Sequence, residues 1–180
     1  MTRSNYVLLL FSPEYNNLRK NKELCYGLSA ALQVSSTLWV VNDETITLER
    51  LGIKGPQTDG GFRFENHKQF SLNNYLTLPV PPSLDGDDAS EADIEGLAFD
   101  GHYLWLVGSH SLKRNKPKQK DGPDDGMKRL AKVSRDGNRY LLARIPLVEE
   151  GGNHTLKQAL ICSGRSLLRL GWMETLLETN

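Results

Sequence analysis

Three short runs of this 180-residue chain carry side chains able to do chemistry. In one, Asp93 and Glu95 stand two residues apart, and His110, Lys113 and Arg114 follow in the next run. Carboxylates spaced by two fall on one side of an extended chain, because side chains alternate across a strand. With His110 they offer oxygen and imidazole donors for a divalent cation, Ca²⁺ being favoured by the oxygens and Zn²⁺ by the histidine. His110 also suits general-base work. Lys113 and Arg114 suit contacts to an anion, phosphate being the natural candidate. The other run, Asn42-Asp43-Glu44, adds two more carboxylates, Asp43 and Glu44. A structural reading stands beside this one: Asp93 and Glu95 accept hydrogen bonds from loop amides, and His110 is a satisfied turn residue. His67, His102 and His154 have no such company and read as surface or turn residues.

The elements that must hold these groups announce themselves as a repeat. Leu28-Ser29-Ala30-Ala31-Leu32 leads through a polar turn to Leu38-Trp39-Val40-Val41-Asn42. Sixty-six residues later, Ile94-Glu95-Gly96-Leu97-Ala98 leads to Leu104-Trp105-Leu106-Val107-Gly108 with the same spacing. Short apolar runs bounded by Ser35-Ser36 and Asp100-Gly101 read as hairpins of mostly buried strands. A third strand is expected at Ile46 to Leu51 and at Arg129 to Val133, and a fourth at His67 to Leu72 and at Arg139 to Ile145. Four antiparallel strands at a fixed period describe a β-propeller blade, with an ordinary sandwich as the alternative. In a blade, the start of the first strand and the end of the second share one end. Asp93 and Glu95 then lie beside Ser109 and His110, and Ser29 beside Asn42, Asp43 and Glu44. Trp39 and Trp105, at equal positions, read as packing between blades.

These motifs, with Leu48-Glu49-Arg50-Leu51, the run Ser109 to Arg114 and Asn138-Arg139-Tyr140-Leu141-Leu142, resemble the bacterial domain-of-unknown-function family 3616 over about residues 24–148. The resemblance implies a propeller and no established activity. Two departures stand out: Gly27 occupies a place where Asp is expected, and the chain after about residue 150 looks foreign. Glu95-Gly96 near the start of an inner strand is also similar to the metal-binding position of gluconolactonase-like and phytase-like propellers, an analogy between folds alone.

Composition narrows the classes. Twenty-two Lys and Arg balance 22 Asp and Glu, so no global field draws nucleic acid or an anionic membrane. The basic run Lys113 to Lys120 lacks interleaved aromatics, which also argues against nucleic acid. Two cysteines, Cys25 and Cys162, fit a reducing compartment rather than a disulfide scaffold. The apolar run Val7 to Phe11 is too short for a signal peptide or a span, so a cytoplasmic location with no membrane partner is expected. Asp85 to Ser90 fails the EF-hand template, and no phosphate loop, nucleophile elbow or zinc-protease motif occurs. Beyond residue 150, Leu156, Ala159, Leu160, Leu167, Leu168 and Leu170 give a helical pattern broken by Gly164 and Gly171.

The expected fold is all-β: two four-stranded antiparallel propeller-type blades, at about 24–75 and 93–147, within a partial propeller spanning 1–150. An irregular or helical tail occupies 151–180. The expected function is a divalent-cation site, Ca²⁺ or another, built from Asp93, Glu95, Asp43 and Glu44, with His110 as ligand or base. It would bind or hydrolyse a small anionic, phosphorylated ligand held by Lys113 and Arg114. The alternative is a non-catalytic interaction module whose loops meet a protein partner. Two blades cannot surround a channel, so self-association is a further expectation.

Overall fold

The computed structural model describes residues 6–18, 21–56, 61–80 and 91–158. Along the chain lie β1 (Val7–Leu9), α1 (Pro13–Asn16), β2 (Asn17–Leu18), β3 (Lys22–Glu23), β4 (Leu28–Val34), β5 (Thr37–Asn42), β6 (Thr47–Pro56) and β7 (Phe62–Ser71). After these come β8 (Ile94–Phe99), β9 (Tyr103–Gly108), β10 (Lys113–Arg114), α2 (Pro123–Ala131), β11 (Val133–Ser134), β12 (Leu142–Glu150) and β13 (Asn153–Leu156). The fold is all-β. Two curled sheets of a partial propeller account for it: one ordered β1-β7-β6-β5-β4, the other β13-β12-β9-β8.

The 66-residue repeat survives at the level of register. Trp39 pairs with Leu32 and Val41 with Ala30; Trp105 pairs with Ala98 and Val107 with Gly96. Each hairpin even slips register at the same place, between Leu28 and Ala30 and between Ile94 and Gly96. A bulge there bends the first strand of each blade and re-aims the residue beside it.

Beyond the hairpins the copies part. In the first blade, the third and fourth strands, β6 and β7, cover the expected segments. In the second, the expected third strand, Arg129 to Val133, is the end of α2 and the short β11. Pro123 opens that helix, Asp124 and Asp125 sit in its first turn, and Lys128 and Arg129 in its last, the polarity that a helix dipole favours. The expected fourth strand, Arg139 to Ile145, begins in a 3-10 turn over Gly137–Tyr140 and runs into the true third strand, β12. Ala143, Ile145 and Leu147 alternate inward along β12, as a half-buried strand requires. The fourth strand is β13, reached through Gly151 and Gly152 at φ 58° and 79°. Two positive φ values are what a tight two-residue hairpin turn demands, and glycine supplies them without strain. The sheet thus continues past residue 150, where a tail was expected to begin; the leucine-rich pattern from Ala159 onward lies outside the described residues.

Trp39, Val41 and Leu48 of the first blade pack against Ile94, Leu104, Leu106, Ala143, Ile145 and Leu147 of the second. Polar bonds close the seam: the His154 amide donates to Thr37 Oγ1 at 2.9 Å, and the Arg50 guanidinium to the His154 carbonyl at 3.2 Å. The first blade's other face, Leu38, Val40, Leu51 and Phe64, is covered by Leu9 and Phe11 of the N-terminal segment. Among the described residues, no helix is long and apolar enough to cross a membrane.

Candidate functional site

At one end of the two hairpins, equivalent residues make equivalent backbone bonds. The Ser109 amide donates to the Asp93 carbonyl at 2.9 Å, and the Asp43 amide to the Gly27 carbonyl at 3.1 Å. Asp93 and Gly27 are repeat partners, as are Ser109 and Asp43. The acid has changed places. A Cβ on Gly27 would lie 2.8 Å from Asp43 Oδ1 and 2.6 Å from Asn42 Nδ2, so the space an aspartate would need at 27 is already filled by Asp43 and Asn42. This is the physical reason for the glycine that departs from the expected pattern.

Asp93 is buried, in the left-handed region at φ 47°, and its carboxylate pairs with the Arg139 guanidinium. Arg139 Nε donates to Ser109 Oγ at 3.2 Å, and its carbonyl accepts from the His110 amide at 2.9 Å. Gly108 allows the approach: a Cβ there would meet the Arg139 carbonyl oxygen at 2.4 Å. Asp93, Ser109 and Arg139 therefore form one knot that ties the hairpin end to the turn before β12. The arrangement orders a loop, and it spends the Asp93 carboxylate on a cation within the chain.

The remaining site residues scatter around this knot. Glu95 sits at the bulge of β8, exposed. His110 is exposed at φ 51°, its ring edge-on to Tyr140 at 5.8 Å, with the Arg135 guanidinium over Tyr140 at 4.9 Å. Glu44 pairs with Lys22, and Lys113 with Glu91 at 3.2 Å. Arg114 is exposed on β10. Asp43 lies close enough to feel Asp93: burial first, then the charges of Glu44 and Asp93, push its carboxyl up from the ordinary range. Its Oδ1 is buried with no hydrogen-bond partner among the described residues. No group of three or more His, Cys, Asp or Glu able to hold a metal ion occurs among the described residues.

Sequence reasoning missed a second polar cluster. His67, read as a surface or turn residue, has its side chain only 1% exposed, and Glu49 is fully buried beside it at 2.7 Å. His67 Nδ1 accepts from the Ser12 amide at 3.0 Å, which places the ring proton on Nε2, facing Glu49. Glu49 also accepts from Thr47 Oγ1 at 2.5 Å and Gln69 Nε2 at 3.1 Å. Phe11 and Tyr15 close over the imidazole edge-on at 5.2 and 5.6 Å. Every strong group here is satisfied, so the cluster fastens the N-terminal segment to β6 and β7. The signal that could have found it was the alternation of Thr47, Glu49 and Leu51 along one strand, which turns a glutamate toward the sheet face.

A family model described as Protein of unknown function (DUF3616) matches residues 27–165. The match starts at Gly27 and runs beyond β13, so it takes in both blades and the stretch after residue 150 that reads as foreign by eye. No curated protein and no solved structure matches. By the breadth of that match and the two repeated blades, the chain belongs to the DUF3616 family of proteins of unknown function.

Proposed function

We propose that the protein is a non-catalytic interaction module whose basic insertion holds an acidic segment of a partner protein. The observation that carries this reading is the excursion between β9 and β12. Residues 109–141 leave the sheet and hold ten Lys and Arg against four Asp, a surplus of six positive charges in a chain of zero net charge. Residues 111–120 are all exposed. Arg114, Lys116, Lys118, Lys120, Lys132 and Arg135 make no ion pair among the described residues, while Lys113, Lys128, Arg129 and Arg139 do. A loop of this kind on a rigid sheet raises encounter rates with an acidic partner. Single-stranded nucleic acid is less suited, because it needs stacking platforms and Tyr140 is already engaged by His110 and Arg135. The test is fluorescence anisotropy with a labelled peptide of about ten glutamates at rising salt. Binding should weaken with salt and drop at least about fivefold in the Lys116→Glu/Lys118→Glu/Lys120→Glu variant. Indifference to that variant, or tighter binding to single-stranded DNA of equal charge, would overturn the proposal.

Asp43 favours a second reading. Its Oδ1, without a hydrogen-bond partner among the described residues, is a place where a divalent cation would relieve the repulsion that Glu44 and Asp93 exert on this carboxyl. His110, Lys113 and Arg114 would then meet a small phosphorylated ligand. Calorimetric titration with Ca²⁺, Mn²⁺ and Zn²⁺ decides it: heat lost in Asp43→Asn supports the reading, and no heat in the unaltered protein ends it.

A further inference from the structure

Repeat symmetry exposes a surface that the first blade does not. Trp39 and Val41 are sealed, at 0% exposure each, by the second blade. Their equivalents, Trp105 and Val107, point away from that core. Side chains of directly paired residues share a sheet face, so Gly96 and Leu142 flank Val107, and Ala98 and Arg144 flank Trp105. Val107 is 38% and Leu142 46% exposed. Together with Gly96, Ala98 and Trp105 they line a shallow apolar trough. In the first blade the same positions accept an entire sheet.

We propose that this trough seats a second copy of the chain, the two copies meeting face to face about a two-fold axis. A head-to-tail arrangement would require the first blade's opposite face on the incoming copy. That face is already covered, because Leu9 and Phe11 lie on Leu38, Val40, Leu51 and Phe64. Among the described residues, the trough is an open apolar face that a copy can offer.

A two-fold contact also demands a patch complementary to itself. The trough meets this condition with one charge of each sign on either side of Trp105. On β12, the Arg144 guanidinium lies over Tyr103 at 4.4 Å and Trp105 at 5.5 Å, and its Nε has no hydrogen-bond partner among the described residues. On the β8 side, Asp100 accepts from the Trp105 indole at 2.8 Å and from the amides of His102 and Tyr103. Those donors hold the Asp100 carboxylate ionised, its pKa lowered to about 2. Turning one copy over on the other brings Arg144 of each toward Asp100 of its mate, with the two Trp105 rings between them.

Sedimentation of the full chain tests this between about 1 and 100 μM, the range in which a modest apolar interface assembles. The mass should climb from monomer to dimer. Trp105→Glu should shift the midpoint at least about tenfold, as loss of a central aromatic anchor does. Leu112→Glu, on the exposed insertion, should leave it unchanged. A second measurement does not depend on a charge placed in the trough: Val107→Cys, in a Cys25→Ser/Cys162→Ser background, should give a covalent dimer with a thiol crosslinker about 13 Å long, and Leu112→Cys should not. A monomer at the highest concentration, from which Val107→Cys gives no covalent dimer, would mean that the trough is covered by the chain itself, and the proposal fails. A dimer that persists undiminished in Trp105→Glu overturns it equally.

Discussion

The two blades contain one hairpin written twice, with the same register, the same bulge and a tryptophan at the same place, yet the tryptophans meet opposite surroundings. Trp39 is wholly buried between sheets, while Trp105 lies in a half-open trough under Arg144. Local sequence cannot account for this, because the local sequences agree. What differs is the neighbour: the first blade has an N-terminal segment on one face and the second blade on the other, and the second blade has only one of its faces packed by the first. Burial in a repeated fold belongs to a position in the stack rather than to a motif.

The largest expected effect turns that contrast into a measurement. Trp39→Ala should destabilise by about 3–5 kcal/mol in denaturant unfolding, as emptying a fully packed aromatic site does. Trp105→Ala should cost less, about 2 kcal/mol, the part of its area already out of water plus the lost stacking with Arg144. Both rings read from the sequence as packing between blades, but only Trp39 lies in that core. Equal losses measured on a monomeric sample would break the comparison by showing that the open trough is covered.

Glu49→Ala should match the Trp39 loss, about 3–5 kcal/mol, because it leaves His67, Thr47 and Gln69 facing an empty acceptor inside the first blade. The same change should free the N-terminal segment, seen as faster hydrogen exchange at Ser12, whose amide depends on the His67 ring being held. A small loss with Ser12 still protected would show that Leu9 and Phe11 alone carry the segment.

How far the sequence reached follows from the range of each contact. The hairpins were legible because turn residues and apolar runs lie within a dozen residues of each other. The first blade's outer strands were legible for the same reason. The second blade's third strand was not, because an insertion of 33 residues, 109–141, separates β9 from β12 and brings its own helix. The Gly151-Gly152 turn is a hairpin signal in the sequence, but a fourth strand expected at Arg139 to Ile145 leaves that turn outside the sheet. At the site, the pairing of Asp93 with Ser109 followed from hairpin logic, whereas its ion partner Arg139 lies 46 residues away on the far side of the insertion. The His67 environment depends on Ser12, 55 residues distant, and no periodicity encodes that.

Arg139 supplies the intermediate effect. Arg139→Ala should destabilise by about 1.5–3 kcal/mol, since the buried Asp93 side chain loses its donor. Among the described residues the first blade has no counterpart to this knot, so the loss should appear as opening of residues 108–110 and 137–141 with the first hairpin unaffected. Uniform loss of protection through both hairpins would mean that the knot supports the seam between blades.

The smallest effect concerns the displaced acid. The Asp43 carboxyl is pushed above its ordinary range by burial and by Glu44 and Asp93. Between the unfolded and folded values the native state binds the proton more tightly, so stability falls as pH rises through that window. Above it the penalty is complete, and at pH 7 the native protein carries it. Asp43→Asn removes the penalty and should raise the unfolding free energy at pH 7 by less than about 1 kcal/mol, because solvent screens a group that is only partly buried. The advantage should shrink as pH falls through the raised folded value and vanish below the ordinary carboxylate range, where both states are protonated. If Asp43→Asn instead lowers the midpoint at pH 7 in the presence of Ca²⁺, the carboxylate is engaged by a cation, and the two hairpin ends differ in chemistry as well as in which residue carries the charge.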